Sequence, residues 1–230
     1  MEYTIYENEK MSFSQYLSKC FFWMFFGLLT SFGVSVFFAY TGLFARIFMS
    51  LGTTFTFILA IVEIILVISL SRSVFNLDSS KAKTLFFVYS ALNGMTLSSI
   101  FYLYDMTSII YVFLGAASIF GIMSVVGYKT KLDLSKLRNF ISISLVSVLL
   151  ISVVMLFAYN SFALLVLSLI IIGLFMIITT YDIHVIKRMY YQTKSVEEQN
   201  ALAIYGALQL YLDFINIFIH LLRIFARSRD

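Results

Sequence analysis

Long apolar runs separated by short polar connections recur along the whole chain, without strict alternation and without a polar block large enough for a soluble domain. A run of about 20 predominantly apolar residues crosses a bilayer as a helix. On that measure the pattern predicts seven segments, at residues 20–40, 53–70, 84–104, 108–128, 140–159, 162–181 and 201–224. Barrel strands would be about ten residues of alternating polarity, roughly half the length of these runs. The expected fold is all-α: a polytopic membrane protein with seven transmembrane helices. Residues 1–19 read as a short tail and residues 20–230 as a single seven-helix membrane domain.

One run departs from the others. In "LQLYLDFINIFIHLLRIF", the polar residues Gln209, Asp213, Asn216, His220 and Arg223 fall at spacings of 4, 3, 4 and 3. At 100° per residue these five occupy a stripe about 80° wide. A helix with one polar stripe in an apolar surround faces protein or water rather than lipid, which places the seventh helix at the centre of the bundle. An ionised carboxylate at mid-bilayer depth costs at least a few kcal/mol, so Asp213 is expected to do something that offsets this.

Composition agrees with the pattern: 61% of the residues are hydrophobic and 12% charged, against about 25% charged in soluble domains. Lys10 and Lys19, then Arg72, Lys81 and Lys83, then Lys129, Lys131, Lys136 and Arg138, then Lys187, Arg188 and Lys194 lie on one side of an alternating topology. The opposite loops hold only Arg46. The positive-inside rule puts the N-terminus and the even loops in the cytoplasm. The seventh segment breaks the alternation, because crossing would leave Arg223, Arg227 and Arg229 outside; a re-entrant seventh segment would keep the rule. The net charge of +4 suits an anionic leaflet and implies no nucleic-acid partner. Cys20, the single cysteine, allows no internal disulfide and no thiol metal site, and reads as a small apolar filler.

Asp182 closes the sixth segment in "TTYDIHVIK". The polar connection 193–200 is centred near 196–197, and the midpoint of 182 and 213 is 197.5. An antiparallel hairpin of the sixth and seventh segments therefore sets the two aspartates at one height, about 23 Å along the helices from the turn. Facing carboxylates in a low-dielectric site share a proton and titrate as a pair. Such a pair could serve as a pH switch, a cation site or a catalytic dyad. His220 reads as an interhelical hydrogen-bonder and His184 as a surface histidine. Ser90, Gly94 and Ser98, and Ala117 with Gly121, read as helix-packing contacts.

"ALQLYLDFINIFIHLLRIF" closely resembles the C-terminal signature of the Bax inhibitor family, the transmembrane Bax inhibitor motif proteins. Similar pieces follow the family's order: "AIVEIILVISLSR", "VYSALNGMTLSSIFYLY", "FGIMSVVGYKTKLDLS" and "TTYDIHVIK". The resemblance covers nearly the whole chain beyond residue 20, and the ending "RIFARSRD" is similar to bacterial members rather than to the lysine-rich tails of eukaryotic ones. It implies a bacterial cytoplasmic-membrane protein, with helices around a central seventh one. It also implies a pH-sensitive calcium leak controlled by an aspartate pair, here Asp182 and Asp213. Glu63 matches an acidic residue of the second segment, and Arg72 is the nearest candidate for a basic latch on the pair.

The leading expectation is thus a non-enzymatic cation leak channel in the lipid bilayer. Calcium is the transported ion, Asp182 and Asp213 its carboxylate ligands, and Gln209, Asn216 and His220 supporting groups; no cofactor is expected. Other cations would suit two carboxylates almost as well. One alternative is an interaction protein that regulates a membrane-bound protease, with the tail as docking segment. Another is an intramembrane aspartyl protease, which Tyr181–Asp182 fits but the "YLDF" context and the absence of proline do not.

Overall fold

A computed structural model describes residues 10–75, 78–158 and 160–226. Among the described residues the chain is helical and holds no strand: α1 (Phe13–Thr41), α2 (Leu43–Leu51), α3 (Thr53–Phe75), α4 (Ser79–Leu97), α5 (Ile100–Leu103), α6 (Met106–Lys129), α7 (Leu137–Phe157), α8 (Ser161–Gln192) and α9 (Val196–Phe225). Seven spans are long and apolar enough to cross a membrane, the third of them running from Ser79 to Leu103 over α4 and α5. The all-α, seven-helix expectation therefore holds.

The boundaries differ from those read off the apolar runs, and caps explain why. Ser12 and Gln15 form a reciprocal capping box: Gln15 N–H donates to Ser12 Oγ at 3.3 Å and Ser12 N–H to Gln15 Oε1 at 2.9 Å. This starts α1 at Phe13, so residues 13–19 are its first turns and not part of a tail. The short helix α2, absent from the sequence reading, lies between Gly42 and Gly52, both at positive φ (66° and 60°), where a side chain would be strained. Nine residues are too few to span.

The connection expected over 193–200 shrinks to Thr193, Lys194 and Ser195. Glu198 N–H donates to Ser195 Oγ at 3.2 Å, and Glu198 Oε2 accepts from Lys194 N–H at 2.6 Å. The first bond satisfies a donor that the helix start would otherwise orphan, and the second ties Lys194, ahead of the cap, to the first turn of α9. From there α9 runs for 30 residues without a break, about 45 Å at 1.5 Å per residue. A re-entrant segment has to reverse inside the membrane, and α9 contains no reversal. Its membrane window is also the most buried of the seven, at 67% against 6–44% for the others. Arg223 lies exposed in its last turn, while Arg227 and Arg229 lie outside the described residues.

The chain divides into two compact units. The first comprises Met1–Ser98 and Ile186–Leu208. Here α1 and α4 approach closely at small residues: Gly94 rests on the Ser31 backbone, Gly27 on the Phe86 ring, and Ser31 Oγ donates to the Ser90 carbonyl at 2.7 Å. The start of the chain docks on the α8–α9 turn. Buried Gln199 accepts from Met11 N–H at 2.9 Å and donates to Met11 O at 3.3 Å, Lys10 Nζ donates to Thr193 O at 2.8 Å, and the Phe13 and Tyr16 rings lie 5.4 and 5.6 Å from that of Tyr190. Cys20 is buried, with its sulfur against Gly206. Gly206 also meets Ile186, which pairs the two arms of the hairpin.

The second unit comprises Ser99–Val185 and Gln209–Asp230. Its packing is organised by α6, whose buried residues Ile109, Val112, Ala116, Phe120, Ser124 and Gly127 form one helical stripe. At Gly127 this stripe lies on the Thr180 carbonyl and Ile183 of α8, and Thr180 Oγ1 donates to Met123 O at 3.3 Å. At Phe120 it meets Phe214 of α9, with ring centroids 5.8 Å apart. The small-residue contact expected at Ala117 and Gly121 is not the one formed. Nothing lies within 4 Å of a Cβ built on Gly121, and the close approach is made one face round, at Gly127.

Candidate functional site: a buried carboxylate pair

The site lies in the second unit, where α8 and α9 run antiparallel. Asp182 and Asp213 interact electrostatically across this pair of helices, and both are buried, 7% and 2% exposed. Asp213 Oδ2 has no hydrogen-bond partner. Buried polar atoms are paired in the great majority of cases, so an orphaned carboxylate oxygen in an apolar span is a feature to be explained by function.

Thr179, one turn before Asp182 on α8, was not singled out from the sequence. It is fully buried, its Oγ1 donates to the Phe175 carbonyl at 2.8 Å, and it is also a hydrogen-bonding neighbour of the Asp213 carboxyl. A hydroxyl has one proton to donate. Thr179 can give it to Phe175, as here, or to an ionised Asp213, and when Asp213 is protonated it can accept instead. The spacing of three from Asp182 in "TTYD" was the available signal, since i and i+3 share a helix face.

The rest of the polar stripe follows α9 through the unit. His220 Nδ1 and Ser168 Oγ lie 3.2 Å apart, which gives His220 its interhelical bond to a fully buried serine of α8. Asn216 Nδ2 donates to Leu212 O at 2.8 Å, and Gln209 Oε1 is buried without a partner. Gln209, Asn216 and His220 are half-buried while Leu208, Leu210, Phe214, Ile217 and Leu221 beside them are buried. Leu212 and Ile219 are half-buried as well, and Asp213 is buried, so the half-exposed side of α9 carries both polar and apolar residues.

Glu63 and Arg72 belong to the first unit. The Glu63 carboxylate accepts from Thr96 Oγ1 at 3.1 Å and from the Asn93 side chain, so α3 carries a half-buried acid tied to two polar groups of α4. Arg72 is exposed in the last turn of α3. His184 is half-buried on α8. Among the described residues no three His, Cys, Asp or Glu side chains come together as a metal-holding group.

The family model described as "Inhibitor of apoptosis-promoting Bax1" matches residues 13–230. The chain belongs to the Bax inhibitor family. Within that family it is 36% identical over 218 residues to the inner membrane protein YbhL of Escherichia coli K12, covering 93% of this chain and 92% of that one. It is 36% identical over 169 residues to an uncharacterized membrane protein of Streptococcus pyogenes serotype M1, covering 74% and 73% of the two chains. An uncharacterized protein of Borreliella burgdorferi is 34% identical over 166 residues, 72% of each. Membership together with seven spanning helices makes this Bax inhibitor protein a multi-pass integral membrane protein.

Proposed function

We propose that the protein is a pH-sensitive cation leak of the membrane it spans, controlled at the Asp182–Asp213 pair, with calcium as the transported ion. The observation that carries this reading is the pair itself: two interacting carboxylates buried in apolar helices, one with an unpartnered oxygen. Such a pair titrates as a unit. Protonated, it is neutral and leaves nothing to attract a cation. Deprotonated, it places like charges side by side in a low dielectric, which draws in a cation and weakens the hold between α8 and α9. Gln209, Asn216 and His220, half-buried on α9, supply further polar groups on the helix that carries Asp213. Hard cations take carboxylate and carbonyl oxygens; calcium in particular follows from the resemblance of the C-terminal signature.

The membrane is read as a bacterial cytoplasmic membrane with the N-terminus inside. The charge alternation and the naming of the Escherichia coli relative as an inner membrane protein support this. The protein is read as non-enzymatic. Of the N-terminal segment read as a docking tail for a protease, Lys10 and Met11 are held by the protein's own Thr193 and Gln199, and residues 1–9 lie outside the described residues.

The test is calcium entry into liposomes containing the purified protein, followed with an enclosed indicator across a range of pH. Flux that changes steeply around neutral pH is expected. Flux that is absent, or the same at every pH, rejects the reading.

A further inference from the structure

Two carboxylates are too few ligands for calcium, which takes 6–8 oxygens, and no third acidic or imidazole side chain joins the pair among the described residues. The remaining oxygens would have to be neutral. The second unit contains two buried neutral oxygens that have no partner: Gln209 Oε1 and Ser124 Oγ. Gln209 is one turn from Asp213 on α9. Ser124 is on α6, and no pattern in the sequence distinguishes it from the other serines of the spans.

Its hydroxyl behaves differently from theirs. Ser118, exposed on the same helix, donates back to the Leu114 carbonyl at 2.8 Å. Ser71 and Ser90 make the same bond to the residue four before them. A serine in a helix has this bond always within reach. Ser124 is 7% exposed and its Oγ has no hydrogen-bond partner, although leaving a buried hydroxyl unmet costs about 1–3 kcal/mol.

Its place on α6 is fixed from both sides. One turn away, Gly127 rests on Thr180 and on Ile183, the residue after Asp182. One turn in the other direction, Phe120 packs on Phe214, the residue after Asp213. Ser124 lies between these contacts on the same buried stripe, and so faces α8 and α9 at the level of the aspartates.

We infer that Ser124 is a ligand-binding residue of the carboxylate site: its Oγ, with Gln209 Oε1 and Asp213 Oδ2, forms a set of hard oxygens from α6 and α9 that binds a calcium-like cation. This rests on the cation reading of the pair but adds a third helix to the site.

Equilibrium dialysis of the purified full chain with radiolabelled calcium, at alkaline pH, tests it separately from transport. Ser124→Ala is expected to weaken binding about tenfold, the scale of one lost bond to a charged partner, while Ser118→Ala leaves it unchanged. If Ser124→Ala does not fold, Ser124→Cys serves, since it nearly keeps the volume but replaces the hard oxygen with sulfur; it too should bind weakly. Calcium binding to either Ser124 variant at wild-type affinity overturns the inference, and so does a wild-type chain that binds no calcium. Binding that depends on Ser124 in a protein with no liposome flux overturns the leak reading and leaves this one standing.

Discussion

Gly127 of α6 lies so close to Thr180 of α8 that a Cβ on the glycine would sit 2.6 Å from the threonine's carbonyl oxygen. Backbone meets backbone here, and neither side can move aside as a flexible side chain would. Close approach at small residues is how membrane helices associate without a hydrophobic drive between them. In this protein the contact holds α6 against the turn of α8 that carries Asp182.

Gly127→Ala is therefore expected to destabilise the protein by about 1–3 kcal/mol, the usual cost of forcing an extra carbon into a packed interface. Gly121→Ala, where the added carbon meets nothing, should be neutral or slightly stabilising through higher helix propensity. Thermal unfolding of the two variants in detergent distinguishes them. Equal melting temperatures would mean that the α6–α8 contact is not formed.

The interaction of Asp182 with Asp213 and that of Ser168 with His220 set the register of α8 on α9. In a Cys20→Ser background, cysteine pairs at 182/213 and at 168/220 should cross-link with a short reagent. A pair at 182/220 should not, because seven residues separate positions 213 and 220, about 10 Å along the helix. Efficient 182/220 linkage would indicate a register slipped by two turns.

Asp182→Asn and Asp213→Asn each keep size and hydrogen bonding but leave a single titrating carboxyl. Each alone is expected to flatten the pH response of calcium flux in liposomes. The double substitution should add little to either, since the two groups act as one unit. A pH profile in Asp213→Asn that superimposes on that of the wild type would reduce Asp213 to a structural polar group.

Topology is open to a direct check by cysteine accessibility in the same Cys20→Ser background. Cysteines at Lys131 and Lys194 should react only with reagents admitted from the cytoplasmic side, and one at Asn160 only from outside. Since α9 is unbroken, a probe at Ser228 should also react from outside, despite the arginines that accompany it. Labelling of position 228 from the cytoplasm would show that the positive-inside rule prevails over helix length.

What was legible in the sequence is what depends on composition and period alone. Seven apolar runs, each long enough for a bilayer, require helices because lipid satisfies no backbone hydrogen bond. The 4-3-4-3 spacing from Gln209 to Arg223 puts the polar groups of α9 on one face in any helical packing. The common height of Asp182 and Asp213 was also legible, although by a route the structure changes. The connection is Thr193–Ser195 rather than 193–200, and it is Ile186 against Gly206, with their midpoint at 196, that aligns the arms near the value read from the polar stretch. Helix starts at Phe13 and Val196 were written locally too, in the capping box Ser12–Gln15 and in Ser195, whose Oγ accepts from Glu198 N–H, but the end of an apolar run does not mark them. Tertiary structure alone decided which small residue of α6 makes contact. Gly121 and Gly127 are equally permissive as sequence, and only the direction from which α8 arrives separates them. The same holds for Ser124 and Thr179, whose hydroxyls could each bond back within their own helix. Whether a hydroxyl does so depends on what the neighbouring helix offers it, and that is a property of packing, not of sequence.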